Sequence, residues 1–159
     1  MKLVYRKISD IKPHERNPRK NECAVVPVAE SIKQFGFQQP IVIDVKNEII
    51  AGHTRYEAAK HLELKEVPCI VAEKLTPKQI KAYRLADNKT HELSVWDHNL
   101  LDEILVELLN DDLGFDMSDF GFDMKHLEFE PVSQDEQPHI DSKKKELLTC
   151  PHCGGQFEK

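Results

Sequence analysis

The 159 residues predict an α+β fold: a small sheet with packed helices, then a helical segment and a cysteine-bearing tail. Three observations predict it. Short β-rich runs alternate with segments whose apolar residues recur at helical spacing. One run, Ile49-Ile50-Ala51, breaks at Gly52 and restarts at once as a helix. Beyond these runs, Leu100, Leu101, Ile104, Leu105, Leu108 and Leu109 form one clean apolar stripe of an amphipathic helix.

Each element has its own signal. Residues 3–8 alternate loosely and suit an edge strand, and Pro13-His14-Glu15-Arg16-Asn17-Pro18-Arg19 is turn chemistry among the cations Lys12, Arg16, Arg19 and Lys20. Val28, Ile32 and Phe35 recur at helical spacing after Pro27, with Gly36 as the stop, so the spacing predicts a helix over 27–35. Pro40 leads into a strand over 41–45, and Lys46-Asn47 turns the chain into 48–51 as a hairpin that ends at Gly52. The next helix begins at His53 or Thr54 and runs to Leu62, with Ala58, Ala59 and Leu62 inward. Thr54 and Glu57 have the spacing of a capping box at its start.

Residues 67–71 are a further strand whose Pro68 suits an edge or a first position. Thr76-Pro77-Lys78-Gln79 is a second capping box, with proline at the first helical position, and it opens a helix to Asn88. Residues 94–97 start the helix that carries the long stripe to Asn110. That stripe must bury against the front domain or a second subunit. Gly114-Phe115-Asp116 and Gly121-Phe122-Asp123 read as turns anchored by phenylalanines.

Composition bounds the class. No apolar run is long enough to span a membrane, and the first residues lack a signal peptide's apolar region, so the expectation is a soluble, cytoplasmic protein with no membrane partner. The net charge of -6 is uneven: residues 1–96 hold 17 Lys and Arg against 12 Asp and Glu, whereas 97–141 hold one Lys against 14 acids. A basic front could meet phosphates, and an acidic back half would not. The predicted organisation is a front domain over 1–92, a helical extension over 93–129 packing on it or on a second subunit, a linker over 130–145 and a cysteine tail over 146–159.

The glycine turn carries the first chemical signal. A strand that feeds a helix through glycine leaves the first helical N–H groups unpaired and aimed outward, and Arg55 adds a guanidinium that can fork onto phosphate oxygens. A capping box at Thr54 could explain the same residues as helix chemistry alone.

Several segments in register then resemble one family. Ile8-x-x-Ile11-x-Pro13, Asn17-Pro18-Arg19, Glu30-Ser31-Ile32 followed by Gly36, Gln39-Pro40-Ile41-Val42, Ile50-Ala51-Gly52-His53-Thr54-Arg55 with Ala58-Ala59, and Val67-Pro68 are similar to the N-terminal domain of the ParB/sulfiredoxin superfamily. The continuation Arg84-Leu85-Ala86-Asp87-Asn88-Lys89-Thr90, with Trp96-Asp97, Leu100-Leu101 and Gly121-Phe122-Asp123, resembles a narrower group. These are phage and mobile-element proteins with a ParB-like front, often fused to a DNA methyltransferase. No Asp-Pro-Pro-Tyr-type methyltransferase motif occurs in the chain.

The resemblance implies a ParB/sulfiredoxin-like mixed sheet and a nucleotide site. In CTP-binding ParB proteins a Gly-x-x-Arg box at the helix start holds the triphosphate, which maps to Gly52, His53, Thr54 and Arg55. The family's Mg²⁺-holding pair maps to Asp87 and Asn88, and Asn17, Arg19 and Gln39 would flank the nucleotide. The implied cofactor is Mg²⁺ with a nucleoside di- or triphosphate, and the implied setting is phage or mobile-element DNA metabolism in a bacterial cytoplasm. DNA, a DNA-modifying enzyme and a second copy of the chain are the further partners considered.

The box departs from its relatives. ParB's usual Gly-Glu-Arg-Arg is Gly-His-Thr-Arg here, and sulfiredoxin's catalytic cysteine falls at His53, which removes that chemistry. Gly-His-x-Arg looks like the box of the free serine kinases of the superfamily, where an early acid acts as base. That makes His53 and Glu30 the catalytic candidates if the chain is a phosphotransferase or nucleotide hydrolase; the other alternative is a noncatalytic DNA or partner adaptor. No helix-turn-helix pair for reading DNA is evident.

At the other end, Cys150-Pro151-His152-Cys153-Gly154-Gly155 has the Cys-x-x-Cys-Gly spacing of a zinc knuckle. Cys150 and Cys153 supply half of a tetrahedral Zn²⁺ site. The other half would come from His139 or His152, Cys23 and Cys69, or the same pair in a second subunit.

Overall fold

Four strands build the core: β1 (Leu3–Lys7), β2 (Ile41–Ile43), β3 (Ile49–Ala51) and β4 (Glu66–Val71), in the order β1-β4-β2-β3. In this computed structural model, which describes residues 3–127, 147–149 and 156–158, β4 runs antiparallel to β1 and parallel to β2, while β2 and β3 form the expected antiparallel hairpin. The sheet is therefore mixed, as the resemblance implied. A parallel pair needs a crossover, and here β3 and helix α2 (His53–His61) provide it.

Burial explains the period of each run. Ile41, Ile43 and Ile49 lie fully inside with Val67 and Cys69 of β4, and Tyr56 and Ala59 of α2 close over them. Each buried isoleucine contributes roughly 1.5–3 kcal/mol by leaving water. The small side chains of Ala58 and Ala59, both wholly buried, let α2 lie close to the sheet, while Leu62 is only half-buried. Helix α1 (Glu22–Phe35) packs against α2 on the outside.

Three expectations are corrected. Helix α1 begins at Glu22, not Pro27, so that Pro27 is the sixth residue inside it. The Asn21 carbonyl accepts from the Ala24 amide at 2.9 Å and starts the helix, and the proline removes only one later bond. Second, β4 is a central strand despite Pro68. The proline faces Tyr5 of β1, and pairing with β2 begins only at Cys69, so Pro68 stands where the strand has one neighbour and its missing N–H interrupts no second ladder. Third, Thr54 and Glu57 form no capping box. Gly52 is itself the N-cap, so Thr54 lies inside the first turn, and the Glu57 carboxylate pairs with Lys60 at 3.0 Å.

The chain continues through α3 (Pro77–His91) and α4 (His98–Asn110). The Thr76 capping box forms as predicted: its side chain accepts from the Gln79 amide and the Gln79 side chain accepts from the Thr76 amide. At α4 the Asp97 carboxylate accepts from the Leu100 amide at 3.3 Å. The stripe of α4 buries only in part, since Leu105 is 2% exposed but Leu100 and Leu109 are 53% and 50% exposed. The glycine turns do anchor through phenylalanines: Phe115 meets Phe35 of α1 edge to face and Phe120 lies tilted against it, with centroids 5.4 and 5.6 Å away, and Phe122 meets Trp96 at 6.1 Å. All of this belongs to one compact unit, Met1–Leu127.

The second unit, Glu128–Lys159, contains an antiparallel hairpin of β5 (Leu147–Thr149) and β6 (Gln156–Glu158). Cys150 and Cys153, with His139 and His152, lie outside the described residues. Of the other proposed zinc ligands, Cys69 sits in the sheet core, where burial pushes its thiol up to about 11, and Cys23 is exposed on α1.

Candidate functional site

Gly52 organises the site. Its φ of 102° and ψ of 28° lie in the left-handed region, and a Cβ there would stand 3.5 Å from the Ile41 Cα. This one residue turns β3 into α2 without a loop. The Tyr56 amide donates to the Gly52 carbonyl at 3.0 Å, so the amides of His53, Thr54 and Arg55 precede the first helical bond and form the free positive end of α2.

Arg55 is held in place before any ligand arrives. Its Nη1 donates to the carbonyls of Gln39 and Pro40 at 2.9 and 2.8 Å, which fixes the guanidinium over the turn that begins β2. Burial lowers its pKa, with Asp87 and Tyr83 pulling it back up, and an arginine so placed stays charged. The Gln39-Pro40 motif thus acts through backbone oxygens.

Around this turn lies a cavity of about 380 Å³ lined by Asn17, Arg19, Gln39, Gly52, His53, Thr54, Arg55, Asp87 and Asn88, among others. Every residue singled out for nucleotide or Mg²⁺ binding is therefore brought to one place. Glu30 is not. It lies on α1 beside Lys33, bonded at 3.0 Å, and lines a separate hollow with Val26 and Phe115. The helix that carries it turns that face toward the glycine-phenylalanine turns, so Glu30 is not among the residues brought to the Gly52 cavity.

The far wall is α3. None of its side chains is buried, and it is fastened by Arg84, whose Nη2 donates to Glu48 at 2.9 Å and whose Nε donates to the Ile49 carbonyl at 3.2 Å. His14 Nδ1 bonds the same Glu48 oxygen. Nearby, Arg19 Nη1 donates to Asn88 Oδ1 at 2.8 Å and ties the Asn-Pro-Arg loop to α3. Glu48 carries no motif, and Arg84, which opens the Arg84–Thr90 segment, and His14, which lies in the Pro13–Arg19 turn, are not marked there as site residues. The one hint in the sequence is that Arg84 and Asn88 are four apart on a helix, and Asn88 Nδ2 does donate to the Arg84 carbonyl at 2.7 Å.

His53 stands between this cavity and a neighbouring one of about 400 Å³ lined by His14, Arg16, Lys81 and Arg84. Burial lowers its pKa from the ordinary 6.5, and Arg84 and His14 lower it further, against smaller pulls from Glu57 and Glu48. The shift favours the neutral imidazole at pH 7. For Mg²⁺, Asp87 offers a carboxylate beside Tyr83, whereas the Asn88 oxygen already accepts from a cation. Among the described residues no group of three or more His, Cys, Asp or Glu could cage an ion. One carboxylate beside a phosphate cradle still fits Mg²⁺, which takes few protein ligands and completes its shell with phosphate and water.

Comparison with known proteins agrees on the front of the chain. The family model described as the ParB N-terminal domain matches residues 2–89. The ParB-like nuclease domain-containing protein YnaK of Escherichia coli (strain K12) is 45% identical over 80 residues, half of this chain and 92% of that protein. The chromosome-partitioning protein Spo0J of Thermus thermophilus is 33% identical over 57% of this chain, which spans only 35% of that protein. Among solved structures, the truncated chromosome-partitioning protein ParB from Caulobacter crescentus, complexed with CTP-gamma-S, superposes with a TM-score of 0.59 at 20% identity, covering 76% of this chain and 75% of that one.

Proposed function

The chain belongs to the ParB N-terminal domain family, and on that premise we propose that it binds a nucleoside di- or triphosphate of the CTP or ATP type with its phosphates on the turn at Gly52. The observation that carries this reading is the left-handed glycine, which sets three free helix amides and an anchored Arg55 along one cavity. Amides and guanidinium together bind phosphate oxygens, and neither needs rearrangement. Mg²⁺ held by Asp87 with the ligand's phosphates would offset the negative charge that the ligand brings. The structural neighbour crystallised with a CTP analogue supports the choice of ligand class.

Calorimetry with CTP, ATP, ADP and GTP in the presence of Mg²⁺ tests this. At least one should bind, and Arg55→Ala should weaken it by about 10- to 100-fold, the loss expected for a charge-assisted contact of roughly 1.5–3 kcal/mol. If none of the four binds the wild type, the reading fails. The setting we propose is phage or mobile-element DNA metabolism in a bacterial cytoplasm, in the company of DNA or a DNA-modifying enzyme.

A noncatalytic adaptor that also pairs with a second copy is the second reading, and it has its own observation. Leu93, Val95 and Trp96, 72%, 91% and 65% exposed, crowd the junction of α3 and α4 with apolar surface in water. The Cys150 and Cys153 knuckle is proposed as a Zn²⁺ site on its spacing and on the hairpin β5-β6 that flanks it. Elemental analysis before and after Cys150→Ser checks that point.

A further inference from the structure

We propose that His53 is locked as the tautomer protonated on Nδ1, and that this Nδ1–H is a neutral hydrogen-bond donor to an anionic oxygen of the ligand. The inference rests on the nucleotide reading for its ligand but on the protein alone for its tautomer.

The lock is a backbone bond. The His14 amide donates to His53 Nε2 at 3.3 Å. An N–H can donate only to a nitrogen with a free lone pair, so Nε2 carries no proton while this bond stands, and the neutral ring must carry its proton on Nδ1. The loop that supplies the amide is itself held, because the Lys12 amide donates to the Asn47 carbonyl at 2.9 Å, the Ile49 amide donates to the Lys12 carbonyl at 2.9 Å, and the His14 ring bonds Glu48. His14 cannot drift away from His53 without breaking those bonds.

The other ring nitrogen is unbonded, and the residue lines the cavities. Nδ1 has no protein partner among the described residues, and no buried side-chain nitrogen or oxygen there lacks one, so Nδ1 reaches open space. His53 is the first residue of α2 and lines both hollows at the glycine turn. Its proton therefore joins the three free amides of the helix start as a fourth donor. The groups that face the ring are Arg84, His14, Glu57 and Glu48, and the nearby Arg84 opposes a second proton on it.

The assignment excludes two roles. With its lone pair spent on His14, Nε2 cannot take a proton from an attacking group, and a protonated Nδ1 is no nucleophile toward phosphorus. His53 is a binding and positioning residue.

Nitrogen-15 NMR of the intact, ligand-free chain at neutral pH tests the lock without any substitution. We expect a protonated Nδ1 and an unprotonated, acceptor Nε2; a proton on Nε2, or on both nitrogens, overturns the proposal and leaves the nucleotide reading untouched. Saturation with CTP and Mg²⁺ should shift the Nδ1–H resonance downfield, and an unmoved resonance at saturation overturns the donor role. Variants add a geometric check. His53→Asn places an amide N–H near the Nδ1 position and should hold affinity within about threefold, whereas His53→Gln reaches toward Nε2 and should lose about tenfold or more. The reverse order overturns the proposal. If the tautomer is as stated but no nucleotide binds, the nucleotide reading fails and the lock stands.

Discussion

At the scale of single residues, backbone geometry and one ring proton govern the site. Gly52→Ala would force a side chain into a left-handed conformation beside Ile41, and it should destabilise the fold by about 1–2 kcal/mol, read as a lowered midpoint in urea. An unchanged midpoint would refute the strain. His53 predicts a pH effect of definite sign. Its folded pKa lies below the ordinary 6.5, so the unfolded chain binds the proton more readily, and stability falls as pH drops through 6.5 and levels off once the folded form also titrates. Denaturation midpoints measured between about pH 7.5 and 5 should show this slope, and His53→Asn should flatten it. Gly52 and Arg55 were legible in the sequence because strand, glycine and arginine have fixed chemical meanings. The His14 amide bond to His53 was not, since 39 residues separate the partners and nothing in either side chain announces a backbone donor.

At the scale of elements, α3 is the wall most open to change. It buries no side chain, so its capping box and the Arg84 bonds to Glu48 and Ile49 carry much of its placement. Thr76→Ala should cost about 1 kcal/mol and fray the first turn of α3, seen as faster amide exchange there. Arg84→Met should weaken nucleotide binding through α3 while leaving the amides at Gly52 intact; unaltered affinity would show that α3 is not part of the site. Strands β1 to β4 and α2 were readable to within two residues because their apolar periods are strong, whereas β5 and β6 were not read from the cysteine tail. Helix α1 was misread at its start because Pro27 looks like a first residue, yet a helix tolerates proline near its first turns. Central placement of β4 was hidden for a related reason: Pro68 argues for an edge unless one knows that β2 pairs only from Cys69 onward.

For the whole molecule, the exposed apolar surface around Leu93, Val95 and Trp96 is the pairing surface that the second reading proposes. If copies pair there, light scattering should give twice the mass of 18.4 kDa, and Trp96→Asp with Leu93→Asp should return it to one. A wild type of single mass at high concentration would remove the homodimer. The sequence made the α4 stripe look like a buried seam, yet only Leu105 of it is fully enclosed, since period reports which face is apolar and not how much of that face is covered.

The order of the strands also governs how the protein resists unwanted association. The outer side of β3 is met only at its start, where Lys12 bridges Glu48 in parallel, its amide donating to the Asn47 carbonyl and its carbonyl accepting from the Ile49 amide, so an added chain finds that end of the ladder already paired. β1, at the opposite end of the sheet, keeps its outer backbone groups unpaired among the described residues, flanked by exposed Leu3 and Tyr5. An added strand, from a peptide or a misfolded neighbour, would therefore extend the sheet at β1 and leave the Gly52 turn undisturbed.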